Sequence, residues 1–480
     1  MRRTNLWLVV LFLLYGVLLR AQESSASPAA GSQSAPTPSQ EDQQFQPLPL
    51  PKMPPTTPGT GPAQLPANGP VHRLTVQDAE ELAIKNNPEM SVYHLLYLAS
   101  NQVTRESKSA YYPVISGDLT AVGGQQGSRI AAGNINAPRL LDRAAGGLVL
   151  SQLITDFGRT NNLVASSALR AKAASMNAVA TAYQIKLMVD EAFYNALQSF
   201  AEESVAEATV KARQTVADQI STLYQNRLRS EVDLSFANAN LAQAKLLLLD
   251  AQNNYQAALS QLSQVLGFTN QQQFELVDAA SELKPPPDEV SKLEDEAFSN
   301  RPEIASQSYQ HDADQHFQKA ERDLLLPTVS ALGVVGDAFN GSVLNGVQQF
   351  PTWYGAAGVN VAVPIFNGFL YVSRSREAAE RAKASGEQLR DLKDRIANDV
   401  RTSWLNAITA YNRIGVSQQF LDQSNLALDL SQNRYNLGLS SIVELSQAQL
   451  QQTQAEIQFA ASKYEYRIAE AVLRFQIAAP

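Results

Sequence analysis

The 480-residue chain contains no cysteine, and that absence excludes several kinds of chemistry. Without a thiol there is no disulfide bond, no thiolate metal site and no cysteine nucleophile. The acylated N-terminal cysteine of a lipoprotein is excluded as well. Any membrane attachment must therefore come from the fold.

Signatures of catalysis and of nucleic-acid binding are also missing. The sequence has no Walker motif, nucleophile elbow, paired-histidine metal signature or dinucleotide fingerprint. The net charge is −8 without a basic stretch, which argues against nucleic acid as a partner. His311 and His316 do not share one face of their predicted helix, so a solvated helix face is favoured over a metal site. We predict no enzymatic activity, no cofactor and no bound metal.

Long apolar runs are scarce. Leu6–Leu19 follows two arginines and is too short for a comfortable membrane span of about 20 residues. It predicts a signal peptide over residues 1–21, cleaved after Ala21 or after Ala26, with an uncleaved anchor as the alternative. No later segment approaches a spanning apolar helix, so strands or an interfacial helix would have to meet a membrane.

Residues 22–71 are rich in proline, serine, glutamine and threonine. Such a composition cannot bury a core, and it predicts a flexible or polyproline-like tether. Two roles are open for this tether, which is either disordered or crosses to a partner.

The rest of the chain repeats one pattern in tandem, over residues 72–284 and 285–480. Two prolines of each copy keep the same offset, since 302 − 88 = 214 and 327 − 113 = 214. Repetition of this kind determines architecture before any single motif does. The matched anchors are Asn87-Pro88-Glu89 with Arg301-Pro302-Glu303, Tyr112-Pro113 with Leu326-Pro327, Asp156-Phe157-Gly158 with Phe366-Asn367-Gly368, and Tyr224…Asp233-Leu234 with Tyr435…Glu444-Leu445.

The sequence pattern of each copy predicts two short helices, two strands, one rod-like helix of about 67 residues and a further helix of about 35 residues. At about 1.5 Å per residue, such a rod is on the order of 100 Å long. The predicted strands are Val114–Val122, Gly146–Leu153, Thr328–Gly336 and Tyr354–Val363, and the predicted rods are 158–225 and 369–436.

The second rod carries a heptad pattern that predicts a coiled-coil seam with one polar half. One heptad position holds mostly apolar residues, namely Ala407, Ile414, Leu421, Leu428 and Tyr435. Its partner position holds polar or aromatic residues, namely Trp404, Tyr411, Gln418, Asn425 and Gln432.

Four strands of this length can cross an outer membrane but cannot close a barrel, which needs about eight. The strands are therefore expected to join those of other copies, giving eight in a dimer or twelve in a trimer. Phe350, Trp353 and Tyr354 suit an aromatic girdle at the membrane interface. An ordinary soluble hairpin is the alternative.

Several motif residues occur twice and in the same order, spread over residues 72–478. They are Asp78…Asn87-Pro88-Glu89, Tyr112-Pro113, Leu150-Ser151-Gln152…Asp156-Phe157-Gly158 and Tyr435-x-x-Gly438…Glu444-Leu445…Ala448. In this order they resemble the TolC-like outer membrane factor family of Gram-negative exporters.

The resemblance implies a mainly α protein with transmembrane β-strands. It would be a homotrimer with a twelve-stranded barrel in outer-membrane lipid and a long α-helical coiled-coil tunnel in the periplasm. It also implies a passive export duct that docks onto a periplasmic adaptor and an inner-membrane pump of the RND, ABC or MFS type. A periplasmic adaptor and a coiled-coil scaffold are the alternatives. Adaptors fold back palindromically, whereas this chain repeats in tandem.

On the geometry of that family, the helix breaks at 227–230 and 438–441 lie at the periplasmic end of the rods. Asp233 and Glu444 follow these breaks, and they predict an entrance that prefers cations. The alternative is that each acid complements a helix dipole. Because Arg227 stands where the second copy has Gly438, we expect the two turns to differ.

Two further groups of residues lie at the same breaks. We expect Arg227 and Arg229 to be solvated; the alternative is that they pair across neighbouring hairpins and hold the tip shut. Exposed leucines at a tip need a partner. The turn that contains Leu437, Gly438, Leu439 and Ser440 is therefore the candidate docking site for an adaptor. The sequence leaves the cargo open.

Overall fold

The computed structural model describes residues 72–122, 131–132, 135–136, 143–272, 274–278, 283–340 and 353–478. The predicted signal peptide, the tether and Phe350 lie outside the described residues. The division into two repeats at residue 285 stays a prediction.

The first repeat contains two short helices, a strand pair and a long helical hairpin. Its elements are β1 His72–Leu74, α1 Val76–Asn86, α2 Pro88–Ser109, β2 Val114–Val122, β3 Ala131–Ala132, β4 Ile135–Asn136, β5 Arg143–Thr155, α3 Arg159–Gln225 and α4 Glu231–Val265.

The second repeat has the same order of helices and long strands. The last element of the first repeat is β6 Phe274–Leu276, and the elements of the second repeat are α5 Val290–Asn300, α6 Pro302–Asp323, β7 Thr328–Asn340, β8 Trp353–Ala362, α7 Leu370–Asn436 and α8 Ile442–Gln476. The four helices have 11, 22, 67 and 35 residues in both repeats. The predicted fold class, mainly helical with a tandem structural repeat, is confirmed.

Local sequence signals explain several helix ends. Thr75 forms a capping box with Asp78 at the start of α1. The Asn87 side chain accepts from the Glu89 amide, with Pro88 in the first turn of α2. Beyond α4, Gly267 has a φ of +82°, and a Cβ there would lie 2.8 Å from the Asn86 carbonyl oxygen. Only glycine allows this close approach.

The four long strands form one antiparallel sheet in the order β2-β5-β7-β8. β5 extends five residues beyond the predicted Gly146–Leu153 segment, three at its start and two at its end. Gly147 lies inside the strand, as predicted, and is a site of close packing. A Cβ on Gly147 would lie 2.8 Å from the Val335 carbonyl oxygen and 2.9 Å from the Tyr354 hydroxyl.

Within the described residues, no helix combines the length and apolar character that crossing a membrane requires.

Each rod packs against several other helices. α3 contacts α4, α6, α2 and α8, and α7 contacts α8, α6 and α5. Because α3 touches α8, the hairpin of the first repeat lies directly against that of the second.

The seam of α7 differs from the prediction by one residue in its polar half. Ala407 and Tyr435 are buried as predicted, but the buried polar residues are Ser403, Ser417 and Ser424 rather than the Trp404 set. Ser417 donates to the Ile414 carbonyl within its helix, and its hydroxyl lies 2.8 Å from that of Ser462 on α8. Small hydroxyls allow close helix approach and satisfy their own hydrogen bonds, which larger side chains do not.

Candidate functional site at the hairpin tips

Two turns end the helical hairpins: the first turn, residues 226–230, and the second turn, residues 437–441. Arg227 has a φ of 61° and Gly438 a φ of 71°. The amide after each residue donates to a carbonyl five residues earlier, Leu228 to Leu223 and Leu439 to Arg434, both at 2.8 Å. The expectation that the turns differ is therefore wrong, because both adopt one Schellman-type backbone. The strain of a left-handed residue with a Cβ falls on Arg227 alone.

Asp233 and Glu444 occupy equivalent positions in the first turns of α4 and α8. Asp233 closes a capping box, accepting from the Ser230 hydroxyl at 2.9 Å and the Ser230 amide at 3.1 Å. The Glu444 carboxylate instead lies 3.5 Å from an Arg434 guanidinium nitrogen. Both acids therefore stabilise helix starts, and their place at a channel entrance stays a prediction.

Arg229 links the two hairpins, so the expectation that it is solvated is wrong. Its Nη2 donates to the Tyr435 carbonyl at 2.8 Å, and its guanidinium lies 4.1 Å from the centre of the Tyr435 ring. The Tyr435 carbonyl also accepts from the Gly438 amide at 3.0 Å, and the carbonyl end of a helix attracts a cation. Arg227 is exposed, which agrees with the expectation for that residue.

Tyr435 is the centre of a small apolar cluster beneath the turns. Its side chain is 4% exposed. The cluster consists of Ala217, Ile220, Ala237, Leu241, Tyr435, Ile442 and Leu445. Burial raises the pKa of the Tyr435 hydroxyl, the Asp233 charge raises it further, and Arg229 opposes the shift. The hydroxyl is buried without a hydrogen-bond partner among the described residues.

A second polar contact joins the hairpins one turn further along. Asn240 on α4 donates to the Ser446 hydroxyl on α8 at 2.7 Å. Neither this contact nor the Arg229–Tyr435 contact was predicted. Neither is local in sequence, since each joins residues 206 positions apart.

The leucines of the turns point away from this cluster. Leu437 is 74% exposed and Leu439 is 68% exposed. Leu228, in the first turn, is 69% exposed at the position equivalent to Leu439, and the sequence-based candidate set omitted it. Gly438 is exposed as well, whereas the Ser440 hydroxyl is buried and lacks a hydrogen-bond partner within the described part of the chain. The docking role of this surface stays a prediction.

The two histidines of α6 are not on a solvated face, contrary to expectation. His311 Nδ1 lies 3.1 Å from the Ser385 hydroxyl on α7, and His316 Nδ1 lies 3.2 Å from Asn162 Oδ1 on α3. Each histidine therefore bridges α6 to a rod.

Comparison with known proteins gives one family and several distant relatives. The family described as "Outer membrane efflux protein" matches residues 80–268 and 293–479. The alkaline protease secretion protein AprF of Pseudomonas aeruginosa is 23% identical over 415 residues, which are 84% of this chain and 84% of AprF. The outer membrane protein TolC of Escherichia coli is 24% identical over 337 residues, 67% of this chain and 66% of TolC. The Campylobacter jejuni CmeC outer membrane channel has a similar fold, with a TM-score of 0.73, 17% identity and coverage of 84% and 85%.

Replacing Arg227 with glycine is expected to stabilise the first turn. Glycine adopts the left-handed conformation without a Cβ clash, so Arg227→Gly should raise the free energy of unfolding by about 0.5–1 kcal/mol. Gly438→Arg should lower it by a similar amount, about 1 kcal/mol. Urea titration of the helical circular dichroism signal measures both. A loss of stability in Arg227→Gly would contradict the strain argument.

Proposed function

Because the chain belongs to the outer membrane efflux protein family, we propose that it is the outer-membrane channel of a tripartite efflux or type I secretion system. It is a passive duct, carrying cargo from an inner-membrane pump and a periplasmic adaptor to the exterior. Its strands lie in the outer membrane of a Gram-negative cell, and its helices extend into the periplasm. The proposed activity is transport, which requires no catalytic step.

The open four-stranded sheet carries this proposal. β5 and β7 have neighbours on both sides, whereas β2 and β8 have one unpaired edge each within the described residues. Unpaired edges are satisfied by strands of another chain or by closure into a barrel. Three copies of four strands make twelve, with β8 of one copy beside β2 of the next. The homotrimer is therefore part of the proposal.

The arrangement of the two repeats argues against the adaptor and scaffold alternatives. An adaptor places one hairpin in the middle of nested β-domains. Here two hairpins follow one another, and strands of both repeats share one sheet. A soluble scaffold would leave that sheet with no role.

Contacts at the tips suggest how the duct is held closed. Arg229 belongs to the first hairpin, and the Tyr435 carbonyl belongs to the second. A charge-assisted hydrogen bond with a cation–π contact resists separation of the two hairpins. We propose that this contact is a latch, and that Asp233 and Glu444 lie around the opening that it narrows.

The exposed leucines are the proposed docking surface for the periplasmic adaptor. Leu228, Leu437 and Leu439 lie on two adjacent turns and present apolar surface at the end of the hairpins. Apolar surface at a protein tip is typical of a protein interface. Cargo choice is proposed to lie mainly with the pump.

The first test is to purify the protein from outer membranes in detergent, determine its oligomeric mass and record ionic currents through it in planar bilayers. We expect a trimer with discrete channel currents. A soluble monomer without membrane activity would overturn the shared barrel and favour the adaptor or scaffold alternative.

Removing the latch should open the channel further. Arg229→Ala loses a hydrogen bond and a cation–π contact, together on the order of 1–2 kcal/mol, so conductance or open probability should rise. Arg227→Ala is the matched control, because it removes the same charge from the same turn at an exposed side chain. Equal single-channel records for both variants would exclude a latch at Arg229.

Neutralising the two acids should weaken cation preference. In Asp233→Asn/Glu444→Gln, the potassium-to-chloride permeability ratio should fall severalfold, because carboxylates around a narrow opening concentrate cations. Glu231→Gln is the control, since Glu231 is exposed in the same first turn. Unchanged conductance and selectivity in the double variant would leave both acids with the helix-start role alone.

A further inference from the structure

A cavity of about 290 Å³ lies far from the tips, where α1, α3 and α8 meet. Its polar lining comes from Gln77 and Glu80 on α1, from Tyr183, Lys186 and Asp190 on α3, and from Arg474 on α8. Two acids and two bases therefore face one small space. Nothing in the export mechanism uses it.

Asp190 is the unusual member of this group, because it is 7% exposed and incompletely paired. Its Oδ2 lies 3.5 Å from an Arg474 guanidinium nitrogen. Its Oδ1 is buried without a hydrogen-bond partner among the described residues. A buried carboxylate oxygen without a donor is costly, so it marks a place where a donor is missing.

Glu80 adds a second carboxylate beside Asp190. Its carboxylate lies 3.0 Å from Lys186 Nζ and close to Asp190. Two carboxyl groups hydrogen-bond to each other only while one holds a proton. Burial and the neighbouring Glu80 together raise the pKa of Asp190 to about 7, against the opposing charges of Arg474 and Lys186.

The second repeat shows what this position accepts. The helix offsets are 290 − 76 = 214 and 370 − 159 = 211, so Glu80 corresponds to Glu294 and Asp190 to Arg401. Arg401 forms a two-pronged ion pair with Glu294, at 2.8 Å and 3.2 Å. In the second repeat this helix pair places the Arg401 guanidinium against Glu294. In the first repeat it places a second acid, Asp190, beside Glu80.

The alignment of the two repeats is secure at this point. Ile185 and Val189 of α3 correspond to Ile396 and Val400 of α7, and all four side chains are buried. The exchange of arginine for aspartate therefore occurs on an otherwise matching surface. In the first repeat Glu80 pairs instead with Lys186, one turn earlier on α3, and the position of Arg401 holds an acid.

We infer that this cavity binds a small zwitterion that carries both a cationic nitrogen group and a carboxylate. The ligand's ammonium or guanidinium group takes the place that Arg401 fills in the second repeat, beside Asp190 and Glu80. Its carboxylate pairs with Lys186 and Arg474, which are about half exposed at the rim. An amino acid, free or at the end of a peptide, has this chemistry.

Charge balance favours a zwitterion over a simple cation. With both acids ionised, two negative and two positive side chains sum to zero. A bare cation would leave one uncompensated positive charge beside Lys186 and Arg474. A zwitterion adds no net charge and supplies a partner to each side of the cavity.

Protons compete with the ligand at Asp190. The other charged groups of this region, Arg467 and Glu470 on α8, act on neighbouring Tyr194. A cationic ligand needs Asp190 ionised, and the raised pKa keeps it protonated below about pH 7. Affinity should therefore fall about tenfold between pH 8 and pH 6.

Isothermal titration calorimetry on the full chain in detergent tests the site. The probes are L-arginine, agmatine, which has the guanidinium without a carboxylate, and acetate. We expect saturable binding of L-arginine at one site per chain, at least about fivefold weaker binding of agmatine, and none of acetate. N-terminally acetylated and C-terminally amidated arginine then distinguish a free amino acid from a peptide end.

Two substitutions test whether the ligand binds beside Asp190. Asp190→Arg places the second repeat's residue in the cavity and should abolish binding, while Asp190→Asn keeps the shape and should weaken binding at least about tenfold. Glu294→Gln is the matched control, since it alters the equivalent pair of the second repeat and should leave the affinity unchanged.

Two results would overturn the proposal: no saturable heat with L-arginine up to about 10 mM at pH 8, or equal affinity in wild type, Asp190→Asn and Asp190→Arg. Each variant is compared only if its helical signal and trimer mass match the wild type. Bilayer currents are recorded on the same preparations. A failed binding experiment is therefore distinguishable from a failed channel.

Discussion

The antiparallel pairing of β5 with β7 is the interaction on which the remaining arrangement depends. The ladder runs from Arg143↔Asn340 to Thr155↔Val329 and joins a strand of the first repeat to one of the second. β5 leads into α3, and β7 follows α6, so the same ladder brings those two helices together. Because both rods have 67 residues, both hairpins then end together, and Arg229 reaches the last carbonyls of α7.

The two repeats share their backbone but not their chemistry, and the differences fall at particular places. Arg227 and Gly438 adopt one left-handed conformation, yet only the arginine carries strain and charge there. Asp190 and Arg401 occupy one position on matching helices, yet one is a second acid beside Glu80 and the other forms an ion pair with Glu294. The two repeats thus form a scaffold of equal parts. Single residue differences make the parts unequal where the proposed latch and the proposed ligand cavity lie.

Prediction from sequence succeeded where a local signal was strong. Pro88 and Pro302 mark helix starts, and an uninterrupted helical pattern predicts both rods to within about a residue. It failed where a distant partner determines the bounds of an element. β5 begins at Arg143 rather than at Gly146, because it stays paired with β7 as far as Arg143↔Asn340. The polar half of the α7 seam was placed one residue late, because aromatic residues suggest packing more strongly than serines do.

The repeated layout, the helix lengths and the family resemblance follow from the sequence alone, because periodicity, prolines and short motifs are visible along the chain. Which side chains meet across the repeats depends on the tertiary structure. Arg229 and Tyr435 are 206 positions apart, and Asp190 lies beside Glu80 and Arg474 from two other helices. Such contacts depend on the relative placement of packed helices, which no pattern along one segment contains.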